Sequence, residues 1–341
     1  MSPAGPGAAP LVQRVYRLLS DREFHSGSVL AARCGVSRSA VWKAVALLRA
    51  LGVGVQAVAN RGYRLPAATA LIEAAHVIAL LPPAAAARLR TGQCGWSTGS
   101  TNADLLQRGA VPPGRFDFLT AEYQSEGRGR RTRRWFAPPG GALCLSLSWS
   151  FAALPADIGA LSLAVGVCAL RALAGLGLPG AALKWPNDLV VGAGKLGGIL
   201  IELRAEAGGP AQVVIGIGIN VALAPALVEQ VRSSGTQAVD LGALGIDAPG
   251  AGGCDRGRLA AALIAACLAG LEQFERAGFR SFVPEWRAAD ALAGRPVAVS
   301  TGGGTVVGHA RGIDAGGALC VQTREGLRRF VTGDVSVRAA A

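Results

Sequence analysis

Apolar residues recur at Leu11, Val15, Leu18 and Leu19, the spacing of a helix that buries one face. A second short helix is expected over 28–34, stopped by Gly35. Ser37 then caps a third helix running to about residue 51, with Val41, Val45 and Leu48 on one face at i, i+4 and i+7. Apolar character returns in 53–58 and 62–65, two short strands around Ala59-Asn60-Arg61. Three helices and a hairpin predict a winged helix-turn-helix. Pro66 and the alanine-rich stretch behind it mark a boundary at residue 67.

From about 70 to 285 the period alternates between strand and helix. Apolar runs at 118–121, 143–149, 182–184, 189–191, 199–203 and 213–219 read as strands, and 102–108, 157–175 and 255–278 as helices. This pattern predicts a mixed α/β domain of catalytic size over 68–288. Five β-like runs punctuated by glycine follow, at 296–300, 305–313, 318–323, 329–332 and 335–338, and predict a small barrel over 289–341. The fold class is therefore α+β. Gly192-Ala-Gly194-Lys-Leu-Gly197 matches the dinucleotide pattern G-x-G-x-x-G, yet β-like residues follow it and no acid stands near 212. A glycine-rich hairpin between two strands is the better account.

Composition narrows the class. The 341 residues are 51% hydrophobic and 16% charged, which excludes a largely disordered chain. Net charge is +12, and residues 1–66 carry nine lysines and arginines against Asp21 and Glu23. A module that holds over half of the net charge in about a fifth of the chain points to nucleic acid. The seven cysteines include no C-x-x-C pair and the three histidines lie apart from them, so no metal site is expected and the thiols read as reduced, in a cytoplasmic protein. The leader MSPAGPGAAP lacks the charged and apolar regions of a signal peptide. The charge-free run 207–228 holds Gln212, Asn220 and two prolines, and reads as buried strand and turn; no membrane association is expected.

Three stretches carry candidate chemistry. On the third helix, Ser37, Arg38, Ser39, Trp42 and Lys43 lie off the apolar face, and Arg61 and Arg64 stand on the wing. Such a helix enters the major groove while basic side chains meet phosphates; the alternative is a protein-interaction domain. Glu126-Gly-Arg-Gly-Arg-Arg-Thr-Arg-Arg-Trp135 places five arginines within seven residues. Glycine lets backbone approach an oxyanion and arginine grips it bidentately, so an anion clamp competes with a solvated basic run. The clamp is preferred because apolar strands flank the run. Lys184-Trp-Pro-Asn-Asp188 ends a buried-looking strand with a cation, either snorkelling at an edge or aimed at a ligand. With no Walker A, G-x-S-x-G or H-E-x-x-H pattern and few histidines, the residues on offer suit electrostatic stabilisation of a phosphate or mixed anhydride.

The combination resembles the bifunctional biotin–protein ligases that double as biotin operon repressors. The resemblance rests on Ser100-Thr-Asn102, Glu122-Tyr-Gln-Ser-Glu-Gly-Arg-Gly-Arg-Arg131, Lys184-Trp-Pro-Asn-Asp188, Lys195-Leu-Gly-Gly-Ile-Leu-Ile-Glu202 and Gly216-Ile-Gly-Ile-Asn220. Gly294-Arg-Pro-Val297 and Arg311-Gly-Ile-Asp314 extend it into the tail, so it spans about 11 to 338. It implies a class II synthetase-like ligase domain followed by an SH3-like barrel. It also implies two steps: biotin and Mg-ATP form biotinyl-5′-AMP, and a lysine of a biotin carboxyl carrier domain then takes the biotin.

ATP, Mg2+ and biotin are thus substrates, with no tightly bound cofactor and no protein metal site. By the same resemblance Ser100, Thr101, Asn102 and Gln124 line the biotin pocket, and Gly127, Arg128, Gly129 and Arg130 wrap carboxylate and phosphate. Lys184, with Arg130, steadies the developing charge, and Asn187 and Asn220 belong to the site. Operator DNA and an adenylate-driven homodimer are the further partners implied. A biotin-sensing transcription factor without transfer activity is the second reading.

Overall fold

The computed structural model describes residues 8–66, 70–130, 133–205, 210–233, 237–245, 254–301, 304–331 and 336–339. Helices α1 (Ala8–Leu19), α2 (Gly27–Cys34) and α3 (Arg38–Ala50) close on Val15, Leu19, Leu30, Val41, Val45 and Leu48, largely the residues whose spacing predicted them. Ser26 and Ser37 cap α2 and α3, each accepting from a backbone N–H in the first turn. The wing is shorter than expected: its strands are β1 (Gln56–Val58) and β2 (Gly62–Arg64). Val53 and Val55 instead turn into the helical core, where Val55 N–H bonds back to the Val53 carbonyl. Residue 67, the expected boundary, lies outside the described residues.

Two short helices, α4 (Ala74–Ala79) and α5 (Pro83–Ala86), lead into the central sheet. In chain order it comprises β3 (Leu89–Thr98), α6 (Thr101–Gln107), β4 (Phe116–Gln124), β5 (Ala142–Phe151) and α7 (Leu161–Gly175). The hairpin ribbon β6 (Ala182–Lys184), β7 (Asp188–Val191), β8 (Gly194–Ala205) and β9 (Ala211–Asn220) follows, then α8 (Pro225–Ser233), α9 (Arg256–Ala277) and α10 (Val283–Ala288). Strand order is β3-β4-β5-β9-β8-β7-β6, antiparallel except for the parallel β3–β4 pair. The glycine motif at 192–197 is indeed a hairpin, turning at Gly192 between β7 and β8.

Alternation along β5 and β9 divides the chemistry between two faces. Leu143, Leu145, Leu147 and Trp149 stand opposite Ile219, Ile217, Ile215 and Val213 and face α7 and α9. Cys144, Ser146 and Ser148 stand opposite Gly218, Gly216 and Val214 on the face that α6 covers. The two core helices touch closely: a Cβ on Gly270 would lie 2.1 Å from the Cys168 sulfur. Residues 158–175 and 256–277 have the length and apolarity of membrane spans, yet 61% of an 18-residue apolar stretch in each is buried in the molecule. They are core helices.

Strands β10 (Pro296–Thr301), β11 (Gly304–Ile313), β12 (Leu319–Thr323), β13 (Gly326–Phe330) and β14 (Ser336–Ala339) form an antiparallel sheet in the order β13-β12-β11-β10-β14. The fourth strand sits three residues earlier than expected, because Arg324-Glu325 already makes the turn; Thr332 and Val335 lie outside the described residues. The sheet is bonded to the central domain. Trp185 Nε1 donates to the Gly317 carbonyl at 3.0 Å, and Arg287 donates to the Ile313 carbonyl at 3.0 and 2.6 Å. The Trp185–Pro186 peptide is cis.

Candidate functional site

Helix α6 begins where β3 ends, and its first turn meets β4, β5 and β8. Ser100 is its cap. Gln124 Oε1 accepts from the Thr101 backbone N–H at 2.8 Å and lies 3.1 Å from Thr101 Oγ1. Ser146 Oγ lies 2.7 Å from Thr101 Oγ1 and 2.6 Å from Asn102 Oδ1. Asn102 Nδ2 donates to Glu202 Oε2 at 2.8 Å and to the Leu200 carbonyl at 3.3 Å. Gln124, Thr101, Ser146, Asn102 and Glu202 therefore make one chain of hydrogen bonds, of which only Glu202 is not buried. Thr101, Asn102 and Gln124 come together in this chain. Asn102, however, sits beneath the surface with both amide hydrogens committed, close enough to β9 that a Cβ on Gly216 would lie 2.6 Å from Oδ1.

The arginine loop folds back on itself above this chain. Trp135 N–H donates to the Gly127 carbonyl at 2.9 Å and Gly129 N–H to Arg133 at 2.7 Å, while Arg128 and Arg134 pair as an antiparallel bridge. A Cβ on Gly127 would meet the Trp135 carbonyl at 2.5 Å, so the limbs close this tightly only around glycine. An open cleft lies against Ser125, Glu126, Gly127, Arg128 and Gly129. Arg128 reaches Glu202 at 3.7 Å, and Arg134 Nη2 donates to the Ser125 carbonyl at 2.9 Å. Arg130 is half-buried; Arg131 lies outside the described residues. Trp135 packs against β9, its indole 2.5 Å from where a Gly218 Cβ would stand. Burial pushes the Cys144 thiol beneath it up to about 12, against the opposing pull of Trp135 and Gln124.

Lys184 closes β6, opposite Asp188 across the hairpin. The neighbouring asparagines hold backbone: Asn187 Nδ2 donates to the Ile199 carbonyl at 2.7 Å, and Asn220 Nδ2 to Lys195 and Val239 at 3.1 and 2.9 Å. A cation that sequence reasoning left without a role is Lys195. Its Nζ stands 2.6 Å from Asp188 Oδ1 and 5.9 Å from the centre of the Trp135 ring. Phe136 was missed too; its ring is 47% exposed with the Arg134 guanidinium over it. Ser146 and Glu202 were invisible as site residues, since one lies inside an apolar run and the other at its edge.

On the N-terminal module Ser37, Arg38, Ser39, Trp42 and Lys43 are all exposed on α3, Trp42 at 62%. Arg61 and Arg64 both lie over the Phe24 ring, 4.1 and 4.6 Å from its centre, and Arg64 also donates twice to Gln56 Oε1. Phe24 thus braces the wing arginines beside the helix.

Comparison with known proteins agrees with this architecture. Residues 12–64 match an HTH domain family, 105–220 the biotin/lipoate A/B protein ligase family, and 293–338 the biotin protein ligase C terminal domain. The chain is 38% identical to the bifunctional ligase/repressor BirA of Escherichia coli, over 96% of this chain and 97% of that protein. It is 40% identical to the biotin–[acetyl-CoA-carboxylase] ligase of Mycobacterium tuberculosis, over 70% of this chain and 85% of that one. The Aquifex aeolicus biotin protein ligase, solved with biotin and ATP, superposes with a TM-score of 0.59 at 25% identity, covering 74% of this chain and 99% of its own. Matched along nearly its full length, the chain belongs to the bifunctional biotin–protein ligase/repressor family.

Proposed function

We propose that the protein is an ATP-dependent biotin–protein ligase that also represses transcription of biotin-synthesis genes. The observation that carries the enzymatic half is one juxtaposition: a buried hydrogen-bond chain beside a folded arginine loop. The chain suits a small neutral polar ring such as an ureido group, and the loop suits the carboxylate and phosphate that must meet.

In the first step a biotin carboxylate oxygen attacks the α-phosphorus of ATP; the bond to the β-phosphate oxygen breaks and pyrophosphate leaves. Negative charge builds between the two anions, where Arg128, Arg130, Lys184 and Lys195 supply fixed cations. The exposed face of Phe136 suits stacking of the adenine. In the second step a carrier-domain lysine, as free amine, attacks the acyl carbon, loses a proton and forms the amide as AMP departs. Mg2+ enters with ATP; among the described residues no group of three His, Cys, Asp or Glu side chains is placed to hold a metal ion.

For the regulatory half, the exposed face of α3 and the braced wing arginines suit operator DNA, bound by an adenylate-loaded homodimer in the cytoplasm. A sensor without transfer activity would have no use for the retained lysines and arginine loop, so the ligase is favoured. The test is mass spectrometry of a biotin carboxyl carrier domain incubated with the protein, Mg-ATP and biotin. An ATP-dependent biotin adduct on one lysine, absent with lipoate, is the expected result. No adduct, with biotin still bound, would leave a sensor.

A further inference from the structure

Strand β6 is three residues long and lies at the edge of the central sheet, so little of its own hydrogen bonding holds it. Register nevertheless gives Lys184 a definite place. It stands opposite Asp188, which pairs with Gly198, then Gly218, then Cys144: one row across the sheet, on the face where Trp135 packs. Its neighbours Leu183 and Trp185 are buried in the core on the other face. Both neighbours are fastened to the C-terminal part of the chain. Leu183 donates to the Ala289 carbonyl and accepts from the Ala291 N–H, each at 2.8 Å, in the segment that leads into the C-terminal sheet. Trp185 Nε1 donates to the Gly317 carbonyl in the turn before β12. That turn is itself fixed. Asp314 Oδ1 accepts from the Gly316 and Ala318 N–H groups at 2.9 Å each, and a Cβ on Gly317 would lie 2.7 Å from Leu163 and 3.2 Å from Phe279.

We infer that Trp185 is a positioning residue for Lys184, through which the Asp314–Gly317 turn of the C-terminal sheet sets the rate of the first step without touching a substrate. This rests on the proposed ligase reading, in which the Lys184 ammonium meets the charge that builds between carboxylate and phosphate. An ammonium displaced by about 1 Å still attracts both anions, so binding is retained. It no longer lies where the transition-state charge develops, so the loss falls on kcat and spares KM.

Trp185→Phe keeps most of the buried ring and removes the donor, while Asp314→Ala loosens the turn and leaves the tryptophan intact. Biotinyl-AMP formation by the full-length protein would be followed with Mg-ATP and biotin, beside unfolding in urea. Each variant is expected to lower kcat about tenfold with both KM values within about twofold of wild type, and the double variant to be no slower than the slower single one. In a Lys184→Ala background Trp185→Phe should have no further effect, since the group it places is gone. If Trp185→Phe does not fold, Asp314→Ala with and without Lys184 carries the same test. Wild-type rates in the variants, additive slowing in the double variant, or slowing that persists without Lys184 would overturn the inference and leave Trp185 a packing residue. Two outcomes reach the reading beneath it and overturn the inference as well. Lys184→Ala at the wild-type rate would remove Lys184 from the mechanism, and a wild-type protein that forms no biotinyl-AMP would end the ligase reading.

Discussion

At the scale of the residue, the same kinds of side chain do different work according to what surrounds them. Lys184 and Arg256 both lie in the central domain; Lys184 is the one proposed to meet a substrate, whereas Arg256 is tied into the fold. Arg256, 2% exposed, donates to both oxygens of Glu122 at 2.7 and 3.0 Å and to the Ala70 and Ala142 carbonyls. Glu122 also accepts from Ile72 and Gly140 N–H, so the pair ties the segment entering the domain to the start of β5. Burial, the largest single influence, pulls the guanidinium pKa down, but the Glu122 charge and hydrogen bonds, with smaller help from Tyr16 and Cys254, together hold it above the ordinary value. Glu122→Gln would put an amide among donors and leave the guanidinium uncompensated. Unfolding in urea should show a loss of about 3–5 kcal/mol. Lys184→Ala should behave in the opposite way, lowering the rate of biotinyl-AMP formation at least tenfold while the urea midpoint stays close to wild type. Near-normal adenylation would remove Lys184 from the mechanism.

At the scale of the element, helices are held by polar ties that periodicity does not reveal. Helix α10 is bound to α7 by Arg171, which donates to both Glu285 oxygens and lies over the Phe282 ring. The Arg171 hydrogen bond lowers the Glu285 pKa below its ordinary value of 4.5, against a smaller opposing effect of burial. A depressed carboxylate contributes stability that is complete above about pH 4.5 and is lost as pH falls through the lower folded-state value. Both side chains are partly exposed, so the effect is modest. Glu285→Gln should therefore lower the melting temperature slightly at pH 7 and converge on wild type as pH falls through the lowered folded-state value, in melts taken across the acid range. A difference that grows on acidification would contradict the assignment.

At the scale of the whole molecule, the basic module and the ligase face are carried by separate clusters of apolar residues. They are joined where Tyr16 of α1 meets Trp96 of β3, with ring centres 5.9 Å apart. The exposed cations of α3 can thus be removed without touching the arginine loop. Arg38→Ala with Lys43→Ala should lower operator affinity and reduce the slope of log affinity against log salt by about two, with biotin transfer unchanged. Unaltered DNA binding would exclude this face as the recognition surface.

Sequence periodicity alone was enough for the three N-terminal helices, the two core helices and the tail of β-runs, because each buries a continuous stripe and needs no partner to be recognised. Strand β3 was not legible. Its residues Leu89–Thr98 alternate between half-buried and exposed at the sheet edge, so no apolar run announces it. The loop arginines, Lys184 and Thr101-Asn102 were legible as chemistry because their residue types and order are distinctive. Ser146, Lys195 and Glu202 were not legible as partners. Ser146 looks like an interruption in a core strand until register places it opposite Gly216, and Glu202 is 100 residues from the Asn102 that donates to it. Which polar groups meet, and in which direction their protons point, depends on strand pairing across long separations. Local sequence carries no energy term for that, so only the folded sheet decides it.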